Sequence, residues 1–324
     1  MLRRHVVMAD LQAQAGRRVA GWSGAPAGCV THCTAAAITL AVAACMTASD
    51  AARIAQLPDV SGMPSRVMML AAHQVNYGHA ITQAVRLTGA QLVVCADFEE
   101  MQAALGVPGV ACVLAVESHL AEGSGTAATR ELVGLAHGAG VPLVLDGAAQ
   151  DWRVADMMAT GADLVLVSAQ KYLGGPTAGL VAGRADLVAA VDAQHGGIGR
   201  AMKPSKEALA GVIAALDLRE AADSQAWRVA QAAKVDVVAQ AASQWPGVQV
   251  SREADPQGNG LDRLWLAVAD APGLVRRLRE ADPVVAVAPH RVAQGQIGLE
   301  LTGVREGEIK ELCRLLEAAI RAAG

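Results

Sequence analysis

Two charged side chains, Asp146 and Lys171, each follow an apolar run and are the clearest candidates for chemistry in this 324-residue chain. Asp146 closes the run PLVLD, and Lys171, one of only five lysines, comes three residues after the run DLVLVS. Ligands of open α/β sheets bind beyond the carboxyl ends of the strands. If both runs are strands of one sheet, an acid and an amine therefore face the same edge. Taken singly, each residue also fits a plainer role, as an exposed turn lysine or as an acid that caps a helix.

This pair supplies the two groups that pyridoxal phosphate requires from a protein. A lysine amine forms a Schiff base with the cofactor's aldehyde. A carboxylate pairs with the pyridine nitrogen and keeps it protonated, so that the ring withdraws electrons from a bound substrate. Ala148 is small enough to leave room for the ring over the strand end. We therefore expect pyridoxal 5'-phosphate as cofactor, with Lys171 and Asp146 as catalytic and cofactor-binding residues, and no metal.

A phosphate site is expected where the alanine-rich run begins at Thr34. A short apolar run, a polar loop and a helical pattern follow one another there, and free N–H groups at a helix N-terminus bind anions. The predicted ligands are the N–H groups of residues 33–35, which include Cys33 and Thr34, and the Thr34 hydroxyl. Ser168, three residues before Lys171, is predicted to add a second hydroxyl. A simple N-cap role for Thr34 is compatible with both readings.

The elements that must position these side chains alternate between short apolar runs and helical patterns from about residue 25 to 190. Continuous Val/Leu runs between amphipathic helices indicate an α/β fold with a mainly parallel sheet that is buried on both faces. The predicted strands are 27–31, 66–71, 91–95, 110–116, 142–146, 163–168 and 179–183. The predicted helices between them are 34–46, 78–88, 99–105, 127–138 and 153–160.

The pattern changes near Lys203 and Pro204, where a long helical stretch over about 205–242 begins. Strand-like and helical pieces that follow it favour a smaller α+β domain. The strand-like pieces are 248–251, 261–268, 284–287 and 296–301, and the helical ones are 271–281 and 305–322. We therefore predict a large cofactor-binding domain over 1–204, and a linking helix with a small domain over 205–324.

Composition and charge exclude several other classes of protein. A formal net charge of −4 and only eight aromatic residues (five Trp, two Tyr and one Phe) argue against a nucleic-acid binder. The six cysteines form no CxxC pair, so no zinc framework is expected. The longest apolar stretch, 35–46, is shorter than the roughly 20 residues that cross a bilayer. We expect a cytoplasmic protein that has neither a nucleic-acid nor a membrane partner.

Several segments together resemble the fold-type-I pyridoxal-phosphate family of bacterial selenocysteine synthase (seryl-tRNA selenium transferase) and D-glucosaminate-6-phosphate ammonia-lyase. The segments around the acid and the lysine are VPLVLDGAAQDW, GADLVLVSAQKYLGGPTAGLVAGRADLVAAV and GGIGRAMKPSKEALAGVIAAL. Two earlier segments, CVTHCTAAAITLAVAACM and HQVNYGHAITQAVRLTGAQLV, resemble the family's cofactor loop and the unit after it. The resemblance covers roughly residues 15–215, and it implies the fold-type-I architecture.

The resemblance implies a role for individual residues of this sequence. Lys171 corresponds to the Schiff-base lysine, the acid 25 residues before it to the pyridine partner, and Ser168 to a residue near the phosphate. His73 corresponds by position to the side chain that stacks on the ring face, and Asn76 and His79 are nearby candidates.

The glycine-rich segment Gly196–Lys203 is expected, from the resemblance, at a subunit interface near the neighbour's active site. Its Arg200 suits a phosphate or a carboxylate, because a guanidinium binds such groups through two parallel hydrogen bonds. The resemblance thus implies a homodimer or a higher homo-oligomer, whereas a loop with solvated cations is the alternative from the residues alone.

These features predict a pyridoxal-phosphate-dependent lyase or transferase that acts at the α and β carbons of an amino-acid-like substrate, with β-elimination of the ammonia-lyase or dehydratase type in first place. Selenium or sulfur transfer, racemisation, aldol cleavage and transamination share the early steps and stay open. The family carries a glycine-rich strand-and-turn segment ahead of the cofactor loop that we expect to be absent here. A non-catalytic subunit of the same fold is therefore the other alternative.

Overall fold

The computed structural model describes residues 5–76, 78–254 and 261–322. The chain divides into two compact units, Met1–Ala221 and Ala222–Gly324. The first unit contains the α/β sheet and the second contains a smaller antiparallel sheet, as the sequence predicts.

The first unit is built on a seven-stranded sheet in the order β1-β7-β6-β5-β4-β2-β3. Its strands are β1 (Ala27–Thr31), β2 (Arg66–Leu70), β3 (Gln91–Cys95), β4 (Val110–Val116), β5 (Leu143–Asp146), β6 (Leu164–Ser168) and β7 (Gly179–Gly183). Strand β7 runs antiparallel to both of its neighbours, and the remaining pairs are parallel. The parallel register of β4, β5 and β6 brings three carboxyl ends to one edge, where Val116 pairs with Asp146.

Helices cover both faces of this sheet, which explains the continuous apolar runs of its strands. They are α1 (Met8–Ser23), α2 (Thr34–Thr47), α3 (Ala51–Gln56), α4 (Thr82–Arg86), α5 (Phe98–Leu105), α6 (Thr126–Gly138), α7 (Val154–Met158), α8 (Ala185–Ala193) and α9 (Lys206–Ala221). One core lies between the sheet and α1, α5, α6, α7 and α9, and a second lies between the sheet and α2, α4 and α8. No helix in the described ranges of the chain is long and apolar enough to cross a membrane.

Helix α9 belongs to the first unit, so the division follows this helix, whereas the predicted boundary near residue 205 precedes it. Leu209 and Val212 of α9 are fully buried in the core that α1 shares. Arg18 of α1 also pairs with Asp217 of α9 at 2.6 Å. The stretch predicted as one long helix breaks after α9, because the Asp223 carboxylate accepts backbone N–H groups and caps the next helix.

The second unit packs three helices on a three-stranded antiparallel sheet of order β10-β9-β8. Its elements are α10 (Ser224–Ala242), β8 (Gln249–Glu253), β9 (Arg263–Ala267), α11 (Ala271–Arg279), β10 (Gln296–Leu299) and α12 (Ile309–Arg321). Trp265 of β9 is the largest fully buried side chain. The strand predicted over 284–287 does not form, and among the described residues nearby only Ala288 makes a bridge, with Gly298.

The first residue of the antiparallel strand β7 packs closely against the loop between β1 and α2. Gly179 begins β7 and pairs with Thr31 on one side and with Ser168 on the other. A Cβ atom at Gly179 would lie 2.5 Å from the Cys33 carbonyl oxygen and 2.5 Å from Thr31 Oγ1. Thr31 Oγ1 donates to that same carbonyl at 3.0 Å. The absence of a side chain at Gly179 therefore lets the loop close against the sheet.

We predict that Gly179→Ala lowers the free energy of unfolding by about 1–3 kcal/mol, because the added methyl group overpacks a contact between two backbone segments. Chemical denaturation measures this change. The control is Gly134→Ala in the exposed part of α6, where no atom lies within 4 Å of the added Cβ. The control should be neutral or stabilising, since alanine favours a helix interior by about 1 kcal/mol over glycine. Equal stability of the two variants would contradict the prediction.

Candidate active site

An open cleft of about 370 Å³ lies where β5 and β6 end and α2 begins. Seven residues that the sequence singles out line it, and these are Cys33, Thr34, His79, Asp146, Ala148, Ser168 and Lys171. The same cleft is also lined by side chains that the sequence analysis leaves without a role, among them Ile38, Gln83 and Gln170. Gln83 lies on a five-residue helix and Gln170 in a turn, and neither has a sequence pattern that would mark it.

Asp146 is buried at the base of this cleft, with 3 % of its surface exposed. Its Oδ1 accepts a hydrogen bond from the Ala148 backbone N–H at 3.2 Å. Burial raises the pKa of Asp146 to about 6, because a charged carboxylate loses its hydration there. The Lys171 cation and the Ala148 N–H act against this shift. A buried carboxyl group whose charge is favoured by Lys171 and the Ala148 N–H but opposed by burial is suited to pair with a cationic group of a ligand.

Lys171 lies in the turn between β6 and β7. The turn is closed by hydrogen bonds from the Ala169 N–H to the Ala178 carbonyl at 3.0 Å and from the Gly175 N–H to the Ala169 carbonyl at 2.7 Å. The Lys171 side chain is exposed at the cleft mouth, yet protein atoms around its ammonium exclude enough water to lower its pKa. The negative charge of Asp146 acts in the opposite direction. A lowered pKa increases the fraction of free amine, which is the nucleophilic form.

The N-terminus of the 14-residue helix α2, where the sequence predicts a phosphate site, also lines this cleft. Cys33 is the N-cap, and its Sγ accepts from the Ala36 N–H at 3.5 Å. Thr34 is therefore not the N-cap, and its hydroxyl lies 2.6 Å from the Ser168 hydroxyl, with both side chains buried. Two hydroxyls and the N-terminus of α2 thus line the same cleft.

Two histidines follow β2, and they have different surroundings. His73 is buried in the turn Ala71–His73, where its Nδ1 accepts from the Val116 N–H at 3.2 Å. Burial lowers the pKa of His73 to about 4, so its ring is neutral near pH 7. His79 is exposed and lines the cleft, whereas His73 is not among the lining residues in the described part of the chain. Stacking of His73 on a cofactor ring stays a prediction.

The segment that carries Arg200 is held beside the cofactor loop of its own chain. The His32 N–H donates to the Met202 carbonyl at 2.9 Å. Arg200 and Lys203 are both exposed, and neither lines the 370 Å³ cleft as far as the described residues show. Lys203 instead lines a separate open cavity of about 540 Å³ together with His32.

A larger cavity of about 480 Å³ lies in the second unit, and the buried lysine among its lining residues is already engaged by the protein. Lys234 is buried beside it and donates to the Leu301 and Val304 carbonyl oxygens, each at 2.8 Å. These bonds give Lys234 a structural role, so the smaller cleft with Asp146 and Lys171 is the site where reactive groups converge.

Comparison with known proteins gives the family. The chain is 33 % identical over 320 residues to the D-glucosaminate-6-phosphate ammonia lyase of Salmonella typhimurium (strain 14028s / SGSC 2262), a match that covers 95 % of this chain and 85 % of that protein. The chain belongs to the selenocysteine synthase-like family. The solved structure of D-glucosaminate-6-phosphate ammonia-lyase also superimposes on this family member with a TM-score of 0.86 and 30 % identity, over 99 % of this chain and 89 % of the other.

A family model and a second relative also match this chain. The model of the L-seryl-tRNA selenium transferase family matches residues 118–243. The 5'-C-glycyluridine monooxygenase-decarboxylase of a Streptomyces species is 30 % identical over 336 residues, with 99 % of this chain and 84 % of that protein covered. The family is one of fold-type-I enzymes that depend on pyridoxal phosphate, so this chain is a pyridoxal-phosphate-dependent enzyme. The relatives carry names of different reactions, and the reaction is therefore not given by similarity alone.

The residues of the cleft fit this cofactor. A buried carboxyl group at the base, an amine with a lowered pKa at the mouth and two hydroxyls at a helix N-terminus are complementary to a pyridinium, an aldehyde and a phosphate.

We predict that Asp146→Asn stabilises the cofactor-free protein in a pH-dependent way. The folded state holds a proton on Asp146 up to a pKa of about 6, while the unfolded state releases it near 3.8. The wild type therefore loses stability as the pH rises from 4 to 6, by up to about 3 kcal/mol for this shift, and asparagine does not. Urea unfolding of both proteins at pH 4, 5, 6 and 7 measures the difference.

The matched control is Asp156→Asn on α7, which removes an exposed carboxylate. This substitution should change stability little at any of these pH values. A stability difference between Asp146→Asn and wild type that stays constant from pH 4 to 7 would contradict the prediction.

Proposed function

We propose that this protein is an ammonia-lyase that eliminates a β-hydroxyl group from an amino-acid-like substrate. The observation that carries the proposal is the cleft in which Asp146 and Lys171 interact beside the N-terminus of α2. The extended similarity to a D-glucosaminate-6-phosphate ammonia lyase supports this reaction over others of the same cofactor. A 2-amino-3-hydroxy acid is the class of substrate that this reaction requires.

Different residues of the cleft would bind different groups of the cofactor. Lys171 would bind its aldehyde carbon through Nζ, Asp146 would keep the pyridine nitrogen protonated, and Thr34, Ser168 and the N–H groups at the start of α2 would bind the phosphate. When bound, pyridoxal phosphate supplies an electron sink that stabilises negative charge at the substrate's α-carbon.

Lys171 would then act as the base of the reaction. Its free amine would take the proton from the α-carbon of the substrate, and the lowered pKa of Lys171 favours that unprotonated form. The β-hydroxyl group leaves with that proton as water, and the α–β bond becomes a double bond. The released enamine takes up one water and gives a 2-oxo acid and ammonia. One water leaves and one enters, so the net reaction converts the amino acid to the 2-oxo acid and ammonia.

We predict that the wild-type protein releases ammonia and 2-oxo acid in equal amounts from a 2-amino-3-hydroxy acid, with D-glucosaminate-6-phosphate as the first compound to assay. Lys171→Ala should abolish both products and also the covalent adduct that borohydride reduction leaves on the protein. Enzymatic ammonia determination and intact-protein mass spectrometry measure the two effects.

The control for this experiment is Lys310→Ala, which removes an exposed lysine of α12. Product formation and the reducible adduct should both persist in this variant. A covalent adduct on Lys171→Ala would show that another lysine binds the cofactor. An adduct on the wild type without any ammonia from a panel of 2-amino-3-hydroxy acids would favour one of the other pyridoxal-phosphate reactions.

We also propose that the protein works in the cytoplasm as a homodimer in which Arg200 completes the neighbour's site. Two observations support this arrangement: Arg200 is exposed, and it is not among the lining residues of its own chain's cleft in the described ranges. A two-fold axis would make the exchange reciprocal, so that each loop reaches the other chain's cleft. A substrate carboxylate or phosphate is the group that a guanidinium would bind there.

Complementation between two inactive variants tests the exchange. Lys171→Ala and Arg200→Ala, unfolded and refolded together in equal amounts, should regain about a quarter of wild-type activity, since half of the dimers are mixed and each holds one intact site. The control is Lys171→Ala refolded with itself. Mixed dimers without activity, detected with two affinity tags, would place Arg200 in its own chain's site or outside the chemistry.

A further inference from the structure

A buried ionic cluster lies behind the cleft, on the turn Asp151–Arg153 that follows β5. On one side of the turn, Arg153 pairs with Glu117, the residue after β4, at 2.6 Å and donates to Thr126 Oγ1 at 3.0 Å. On the other side, Asp151 Oδ2 pairs with Arg219 of α9 at 2.8 Å. Asp151 and Glu117 each have 2 % of their surface exposed, so the two pairs are shielded from water and from salt.

Arg219 makes three contacts that reach two different loops. Besides the Asp151 carboxylate, its guanidinium lies 3.5 Å over the centre of the Trp152 ring. Its Nη2 also donates to the backbone carbonyl of Tyr172. The Arg219 side chain is itself only 9 % exposed. The guanidinium therefore joins the loop after β5 to the turn after β6.

These two segments carry the reactive groups of the cleft. The loop after β5 begins next to Asp146, and Tyr172 is the residue directly after Lys171. The hydrogen bonds of Ala169 and Gly175 already close the base of the turn. Arg219 adds a further hydrogen bond, to the backbone carbonyl of the residue after the lysine. A turn held on both sides of Lys171 fixes where its amine can reach relative to Asp146.

We propose that Arg219 is a positioning residue for Lys171, which it holds at a fixed distance from Asp146 by clamping the Tyr172 carbonyl to the Asp151–Trp152 turn. This inference deepens the proposed function and rests on its assignment of Lys171 as the cofactor-binding lysine. Arginine suits this role better than lysine does. Its planar guanidinium stacks on an indole and donates along several directions at once, whereas an ammonium is a single point charge.

The test compares Arg219→Lys with wild type in the rate at which cofactor-free protein forms its Schiff-base absorbance band after mixing with pyridoxal phosphate. A displacement of the amine by about 1 Å lowers the rate of a reaction between held groups by up to about a hundred-fold. We expect Arg219→Lys to slow band formation by roughly ten- to a hundred-fold, and to move the pH at which the band titrates. A purely structural role for Arg219 would leave both readouts unchanged in the folded protein.

The control is Arg18→Lys, the same substitution at an arginine of α1 that pairs with Asp217 and Glu220 of α9. It perturbs the same helix at a more exposed contact and should leave the rate and the titration at wild-type values. Denaturant midpoints for both variants separate lost positioning from lost stability.

Each outcome decides the question. A folded Arg219→Lys with wild-type rate and titration overturns the inference. If this variant does not fold, Asp151→Asn replaces it, because the isosteric amide releases Arg219 from its ion pair, and an unchanged rate in that variant overturns the inference equally. An adduct that persists on Lys171→Ala would instead refute the proposed function. That variant keeps Arg219, so its result does not depend on whether Arg219 is a positioning residue.

Discussion

The burial of the Asp146 carboxyl group is the constraint from which the rest of the cleft follows. The parallel register of β4 and β5 places this residue at the base of the cleft, among strands that are apolar throughout. A carboxylate in such a place loses its hydration, and only one backbone N–H and a lysine at the mouth act against that loss. The cofactor-free protein is therefore less stable near neutral pH than the same fold with a neutral residue there. This cost is offset when a cationic ring binds, so the destabilisation of the empty protein and the affinity for the cofactor have the same origin.

The lysine and the hydroxyl pair line the same cleft as that carboxyl group. Lys171 lies in a turn that is closed by backbone hydrogen bonds, and the surrounding protein atoms lower the pKa of its amine. The Thr34 and Ser168 hydroxyls, 2.6 Å apart, define the opposite end of the site. The distance between these two ends is set by the sheet itself, which is rigid because both of its faces are packed.

Much of this arrangement was accessible from the sequence, because the strongest signals are local. A charge directly after a run of buried residues marks a strand end, and this signal predicts Asp146, Lys171 and the parallel sheet. The N-terminus of α2 follows from its alanine-rich pattern, although the cap is Cys33, whose thiol is a weak acceptor that capping preferences do not favour.

The remaining features depend on contacts that no local pattern records. From the sequence alone, Arg219 resembles a solvated cation of an amphipathic helix. It is buried only because α9 packs within the first unit. The same packing places the end of the first unit after α9 instead of near residue 205. The apolar run over 284–287 has the composition of a strand but forms no ladder among the described residues, and the pairing beside it is limited to the bridge between Ala288 and Gly298. The stacking role of His73 stays a prediction, and its hydrogen bond to the Val116 N–H depends on the register of β4, which no local pattern records.

The antiparallel strand β7 has a consequence for how the site assembles during folding. It lies between β1 and β6, so the two hydroxyls of the anion site come from segments that are not neighbours in the sheet and are 134 residues apart in the chain. Closing a loop of that length has a large entropic cost, and it cannot be recovered until β7 is inserted between the other two strands. We therefore expect the predicted phosphate site to form only once β1 has paired with the hairpin of β6 and β7. A nascent or truncated chain that lacks β7 would hold Asp146 without a place for the phosphate, and stable capture of the cofactor would mark the completion of the sheet.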